Sequence, residues 1–213
     1  MFKRKPRSYS RTILEFFYPR GGWYRAAQYV LHRIRRLPDP AHRISRGIAI
    51  GVFVCFTPFF GLHFLTATIL ALALRGNVVA ALLATFFGNP ITFPIIAEIS
   101  ISLGSRMLDQ PVNMHLPQVA QAFWDAIRAI GHNIMAMFTD EVADWRGIVQ
   151  FWWRVMVPYT VGGLFPGVVT AAIAYYASLP VLTMYQKQRI KRFKKRYEAR
   201  MRERAEAARR EEE

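Results

Sequence analysis

Two dipeptides in this chain, Thr57-Pro58 and Asn89-Pro90, pair a residue favoured at a helix N-cap with proline, which is favoured at the first helical position. Each lies inside a long apolar run, so each is expected to start a new half-helix there. Spare backbone N–H groups and the positive dipole end at such a start attract phosphate or carboxylate. The polar residues nearby are His63, Thr66 and Thr68 after the first break, Arg75 and Asn77 between the runs, and Thr85, Thr92 and Glu98 around the second. The expected ligand site is therefore Thr57, Pro58, His63, Arg75, Asn77, Asn89, Pro90 and Thr92. Arg75 is its sharpest candidate for an anionic headgroup, the alternative being an interfacial arginine that reaches water at a helix end. His63 reads either as a ligand or as a packed polar residue, and Glu98 either as a buried ionisable group or as the polar end of its run. Paired interrupted segments also point to a transport site.

Other chemistry finds little support. The chain has no HExxH, CxxC or GxSxG, nor a phosphate-cradling GxxxxGK[ST]. His32, His42, His63, His115 and His132 are scattered, so spacing assembles neither a metal site nor a nucleophilic triad. No catalytic residue, metal or cofactor is expected, and the chain is read as a non-enzyme. The single cysteine, Cys55, sits in the first apolar run and has no intramolecular disulfide partner.

The elements that must position these residues follow from charge and hydropathy. The chain of 213 residues is 53% hydrophobic, yet it carries 29 Lys plus Arg against 14 Asp plus Glu, a net charge of +15. Residues 1–46 hold 12 basic and 2 acidic side chains and residues 187–213 hold 12 and 6, so the excess lies at the two ends. Between them, Gly47 to Leu74, Gly76 to Ala97 and Val155 to Gln186 carry no charged residue. Each meets the roughly 20 residues needed to cross a bilayer. That pattern predicts a plasma-membrane protein with anionic lipid as its surroundings, and both basic ends on the cytoplasmic side. Nucleic acid is an unlikely partner, because no recognised binding fold accompanies the basic tail. The N-terminus lacks the apolar stretch and small-residue cleavage site of a removable signal peptide.

The expected fold class is all-α: an integral membrane protein with broken or re-entrant helices, an amphipathic interfacial helix and a charged C-terminal helix. Residues 1–42 form a basic N-terminal segment in which Trp23, Ala27, Val30, Leu31 and Ile34 recur at helical spacing. Residues 43–186 form the membrane domain, with apolar runs 47–74, 76–105 and 155–178 and an amphipathic insert at 107–154. In the insert Leu116, Val119, Phe123, Ile127 and Ile130 recur among polar residues, and Trp145, Phe151, Trp152 and Trp153 mark an interface belt. Residues 187–213 are a basic helical tail. Both termini inside require an even number of crossings, so one of the first two runs must be re-entrant or the two together make one crossing.

The strings RISRGIAIGVFVCFTPFFGLHFL, LALRGNVVAALLATFFGNPITFP and ISLG, with a looser match in VPYTVGGLFPGVVTAAIAYYASLP and its basic tail, resemble a family of bacterial membrane proteins called domain of unknown function 2062. The resemblance covers most of residues 43–195 and leaves the N-terminal helix and the 107–154 insert outside. It implies an inner-membrane location. Some relatives are joined to glycosyltransferase-like domains, which suggests cell-envelope or lipid-linked sugar metabolism, but no such domain is present here. The functional expectation is binding or transport of an anionic lipid, a phospholipid or polyprenyl phosphate. The alternative is a non-catalytic membrane adaptor or scaffold that holds an envelope enzyme or another protein partner. Gly162-Gly163 and Pro166-Gly167 would permit a homo-oligomer or close packing within one chain.

Overall fold

The computed structural model describes residues 22–59, 61–109, 116–139 and 141–212. The basic stretch 1–21, His115, Asp140 and the side chains of Trp23 and Leu116 lie outside the described residues. Those residues form helices, with no strand among them: α1 Gly22–Arg35, α2 Ala41–Val54, α3 His63–Ala73, α4 Val78–Ala84 with a 3-10 turn Thr85–Phe87, α5 Thr92–Met107, α6 Leu116–Ala136, α7 Arg146–Phe151, a π-helical turn Trp152–Met156, and α8 Val157–Glu212.

The first apolar run is a helical hairpin. Proline at 58 disfavours helical backbone at Thr57 and ends α2. Arg46 near the start of α2 donates from Nη1 to the carbonyl of Leu74, 2.9 Å away, just past the end of α3. The chain thus returns to the level at which it began. At roughly 21 Å and 16 Å by helical rise, α2 and α3 are each shorter than the ~30 Å hydrocarbon core of a bilayer.

The second run is broken as its Gly-Asn-Pro sequence predicts, and its halves meet at 86°. The first half, α4, runs parallel to α2. A Cβ added at Gly47 would stand 2.3 Å from the Asn77 carbonyl oxygen, and one at Gly51 would stand 2.2 Å from that of Ala81. From the bend, α5 leads away to meet the first turns of α8, where Gly104 faces Pro158 and Gly162.

The organising element is α8. Its start packs with α5 and α6 through Ala97, Ile101, Val119 and Tyr159. Roughly 36 Å further along, Leu182 packs with Ile34 of α1 and Ala41 and Ile44 of α2. The start of α2 and the end of α5 therefore lie at opposite ends of the bundle. The basic residues of α1, α2 and the tail share the first of these ends. Pro166 and Pro180 both lie inside α8, and the helix of the third run continues into the charged tail without a break. Proline inside a helix leaves a carbonyl unpaired, but neighbouring groups can re-satisfy such backbone.

Large apolar residues line the outside of the bundle as well as its core. Gly47, Gly51, Ala67, Ala71, Ala80, Ala81 and Ala84 are buried. Phe64, Leu65, Ile69 and Leu72 on α3, Ile91, Ile95 and Ile99 around α5, and Phe165, Val168 and Ile173 on α8 are exposed. The most apolar 18-residue window of α8 is only 6% buried. A soluble core helix hides that window.

Candidate basic cleft

The two breaks do meet. Cys55 at the end of α2 donates from Sγ to the Thr85 carbonyl at 3.4 Å, a Cβ on Gly88 would touch that sulfur, and the His63 and Phe93 rings stand edge to face at 6.4 Å. Their polar groups, however, are directed inward. Asn89 behaves as expected of an N-cap: its Oδ1 accepts from the N–H groups of Ile91 at 2.9 Å and Thr92 at 3.1 Å, while the Thr92 hydroxyl accepts from the Asn89 N–H at 3.1 Å. The Phe93 N–H is bound by the Asn89 carbonyl. This reciprocal cap satisfies the donors that were expected to hold an anion. Replacing Asn89 by alanine is accordingly expected to cost about 1 kcal/mol of stability, the usual value of an N-cap, and to leave ligand binding unchanged. Thermal unfolding in detergent, together with lipid retention, checks both parts.

Thr57 corrects the expectation outright. Its hydroxyl donates back to the Val54 carbonyl at 2.7 Å, closing α2, and the next helix starts six residues later at His63, where no side chain caps it. The local preference of threonine for a carbonyl three residues back prevails over the N-cap. Pro58 is buried in the turn, and Pro90 lies exposed at the first position after the Asn89 cap. The His63 ring faces the Thr57 carbonyl at 3.2 Å.

Arg75 and Asn77 do not join this cluster. Residue 75 follows the far end of α3, roughly 18 Å from His63 by helical rise. There α3 closes in a Schellman motif: the Gly76 N–H donates to the Ala71 carbonyl at 2.8 Å and the Arg75 N–H to the Leu72 carbonyl at 3.2 Å. The position between them takes a left-handed conformation that glycine usually fills. Here it is Arg75, at φ 53°. Asn77 is buried as the N-cap of α4, its Oδ1 accepting from the Ala80 N–H at 2.6 Å and its Nδ2 donating to Asp39.

Beside Arg75 is a cleft of about 360 Å³ lined by His42, Arg43, Arg46, Ala71, Leu72 and Gly76 in addition to Arg75 itself. Three arginines therefore line one space. Arg46 is held by the Leu74 and Arg75 carbonyls. Arg43 is held by Asp39 at 3.0 Å, and Asp39 also accepts from Asn77 and, at its carbonyl, from Gln186 of α8. The Arg75 side chain has no hydrogen bond or ion pair among the described residues. Reading the sequence missed His42, Arg43 and Arg46. The signal available was their spacing: residues 42 and 46 are four apart and 43 and 46 three apart, which places them on one side of the helix start.

The site belongs to a protein whose described residues are all-helical and hold one helix long and apolar enough to cross a membrane, or two if the bent α4–α5 pair is one span. A family model described as an uncharacterized protein conserved in bacteria (DUF2062) matches residues 24–191, and the chain belongs to that family. The match runs from within α1 past the 107–154 insert, a wider range than the motifs alone covered. No curated protein and no solved structure matches the chain.

Proposed function

We propose that this is a multi-pass protein of the bacterial plasma membrane that binds an anionic lipid by its headgroup, in the cleft formed by Arg43, Arg46 and Arg75. The α2–α3 hairpin is a re-entrant element, α4 with α5 makes one crossing and α8 makes the second, so that both termini lie in the cytoplasm. This reading is supported by the exposed apolar faces of α3, α5 and α8 and by the glycines where α2 meets α4 and α5 meets α8, which suit a lipid solvent. The concentration of basic residues at the end shared by α1 and the tail gives the orientation. Transport of the bound lipid between leaflets would draw on the broken second run.

The observation that carries the binding reading is Arg75 itself. An L-residue in the left-handed region costs roughly 1–2 kcal/mol, and a Schellman motif accepts glycine without that cost. Selection for stability alone would place glycine at 75. The arginine instead presents its charge at a cleft whose outer wall carries the exposed Leu72, so a headgroup bound there can lay its chains along the apolar face of α3.

The test follows from the same geometry. Arg75→Gly is expected to unfold at the same temperature as the parent or higher, and to lose the co-purifying anionic lipid that native mass spectrometry detects on the parent in mild detergent. Equal lipid retention by both proteins would overturn the reading. It would transfer the function to the adaptor alternative, for which the exposed basic tail of α8 is the docking element.

A further inference from the structure

We infer that the cleft selects a terminal phosphate bearing two negative charges, a phosphomonoester or diphosphate end, over the singly charged phosphodiester of common anionic lipids. The inference rests on the proposed headgroup site and specifies its chemistry. Three arginines line the cleft, and one carboxylate, Asp39, is paired with one of them, so the arginines and this carboxylate together carry +2. A dianion neutralises that balance and a monoanion leaves one charge uncompensated.

Hydrogen-bond geometry gives the same answer. Arg43 uses Nη1 on Asp39, and Arg46 uses Nη1 on the Leu74 and Arg75 carbonyls. Each keeps its other guanidinium nitrogens, and Arg75 keeps its whole fork. A terminal phosphate presents three unesterified oxygens, one for each guanidinium, whereas a phosphodiester presents two. The bonds that hold Arg43 and Arg46 also fix them before the ligand arrives, which reduces the ordering cost of binding. At about 360 Å³ the cleft is near the lower limit of small-ligand pockets. It has room for a phosphate and the first atoms attached to it, while the rest of the lipid stays on the outer face of α3.

The experiment titrates the full chain in nanodiscs of phosphatidylcholine doped with equal fractions of phosphatidate or phosphatidylglycerol. It is run at pH 8, above the second ionisation of a phosphomonoester at about pH 6. Expected is at least about tenfold tighter binding of phosphatidate, the equivalent of one additional charge-assisted contact. In Arg75→Gly the preference should collapse toward parity, which a purely structural role for Arg75 would not produce. Equal binding of the two lipids by the parent protein would overturn this inference and leave headgroup binding standing. Binding of neither would overturn the proposed function itself. Inorganic phosphate and glycerol phosphate, titrated in lipid-free detergent, separate the sources. If they bind as tightly as phosphatidate, the dianionic ligand is a water-soluble phosphate, and if they bind far more weakly it is a lipid.

Discussion

Replacing Gly162 by leucine is expected to leave little folded protein. A Cβ at this position would stand 1.9 Å from the Ser100 carbonyl oxygen and 2.2 Å from the Gly104 nitrogen, both backbone atoms. Gly104 is in the same situation from the other side, 1.8 Å from the Pro158 carbonyl oxygen. No rotamer change relieves a clash between backbones, so α5 and α8 must separate. Overpacking ordinarily costs about 1–3 kcal/mol, and losing this crossing exceeds that because Ala97, Ile101, Val155 and Tyr159 are buried beside it. Gly131→Ala is the control. It lies within α6 with no atom within 4 Å of the added carbon, so alanine should be neutral or stabilise by up to about 1 kcal/mol. Size-exclusion profiles and thermal unfolding in detergent measure both variants. A Gly162→Leu protein that is monodisperse and melts within a few degrees of the parent would show that α5 and α8 do not pack this way.

The close crossing also explains what the sequence reveals and what it hides. Gly88-Asn89-Pro90 was legible because cap, proline and polar follow-on all act within four residues, and the bend appears where they place it. Thr57-Pro58 has the same two residue types, yet its hydroxyl turns to Val54. Threonine can bond forward or backward along the chain, and the preceding helix decides which. Pro166 and Pro180 do not interrupt α8, which α5, α2 and α1 hold on successive stretches.

The candidate site was half legible for a related reason. Arg75 stands out in the sequence as a lone charge between apolar runs, but nothing local shows that α3 turns back along α2 and returns it to the level of Arg43 and Arg46. That return depends on Ala67 and Ala71 being small enough for α3 to pack beside Ile50 and Val54. Asp39 completes the arrangement. By bonding Arg43, Asn77 and Gln186 it ties the turn after α1 to α2, α4 and α8, so the cleft sits where three helices and the start of the tail are joined.

An all-or-none result is expected when single cysteines are labelled with a membrane-impermeant maleimide. The native Cys55 is buried and should stay unlabelled, which makes the parent a usable background. Gln28→Cys on α1 and Ala199→Cys on the tail are at exposed positions of the basic end, and Thr139→Cys, just beyond α6, is exposed on the opposite side of the bundle. With two crossings and a re-entrant hairpin, intact spheroplasts should label Thr139→Cys alone. Gln28→Cys and Ala199→Cys should react only after permeabilisation. Leu62→Cys, at the exposed tip between α2 and α3, should resist the reagent under both conditions if that tip is embedded in lipid. Protection of Thr139→Cys in intact spheroplasts would mean that the 86° bend returns the chain instead of carrying it across. In that case α8 would not cross either, and the exposed apolar residues would have to lie in one leaflet. Labelling of Thr139→Cys together with protection of both basic-end positions leaves a crossing between α4 and Met107 and a second along α8, with the arginine cleft on the cytoplasmic side.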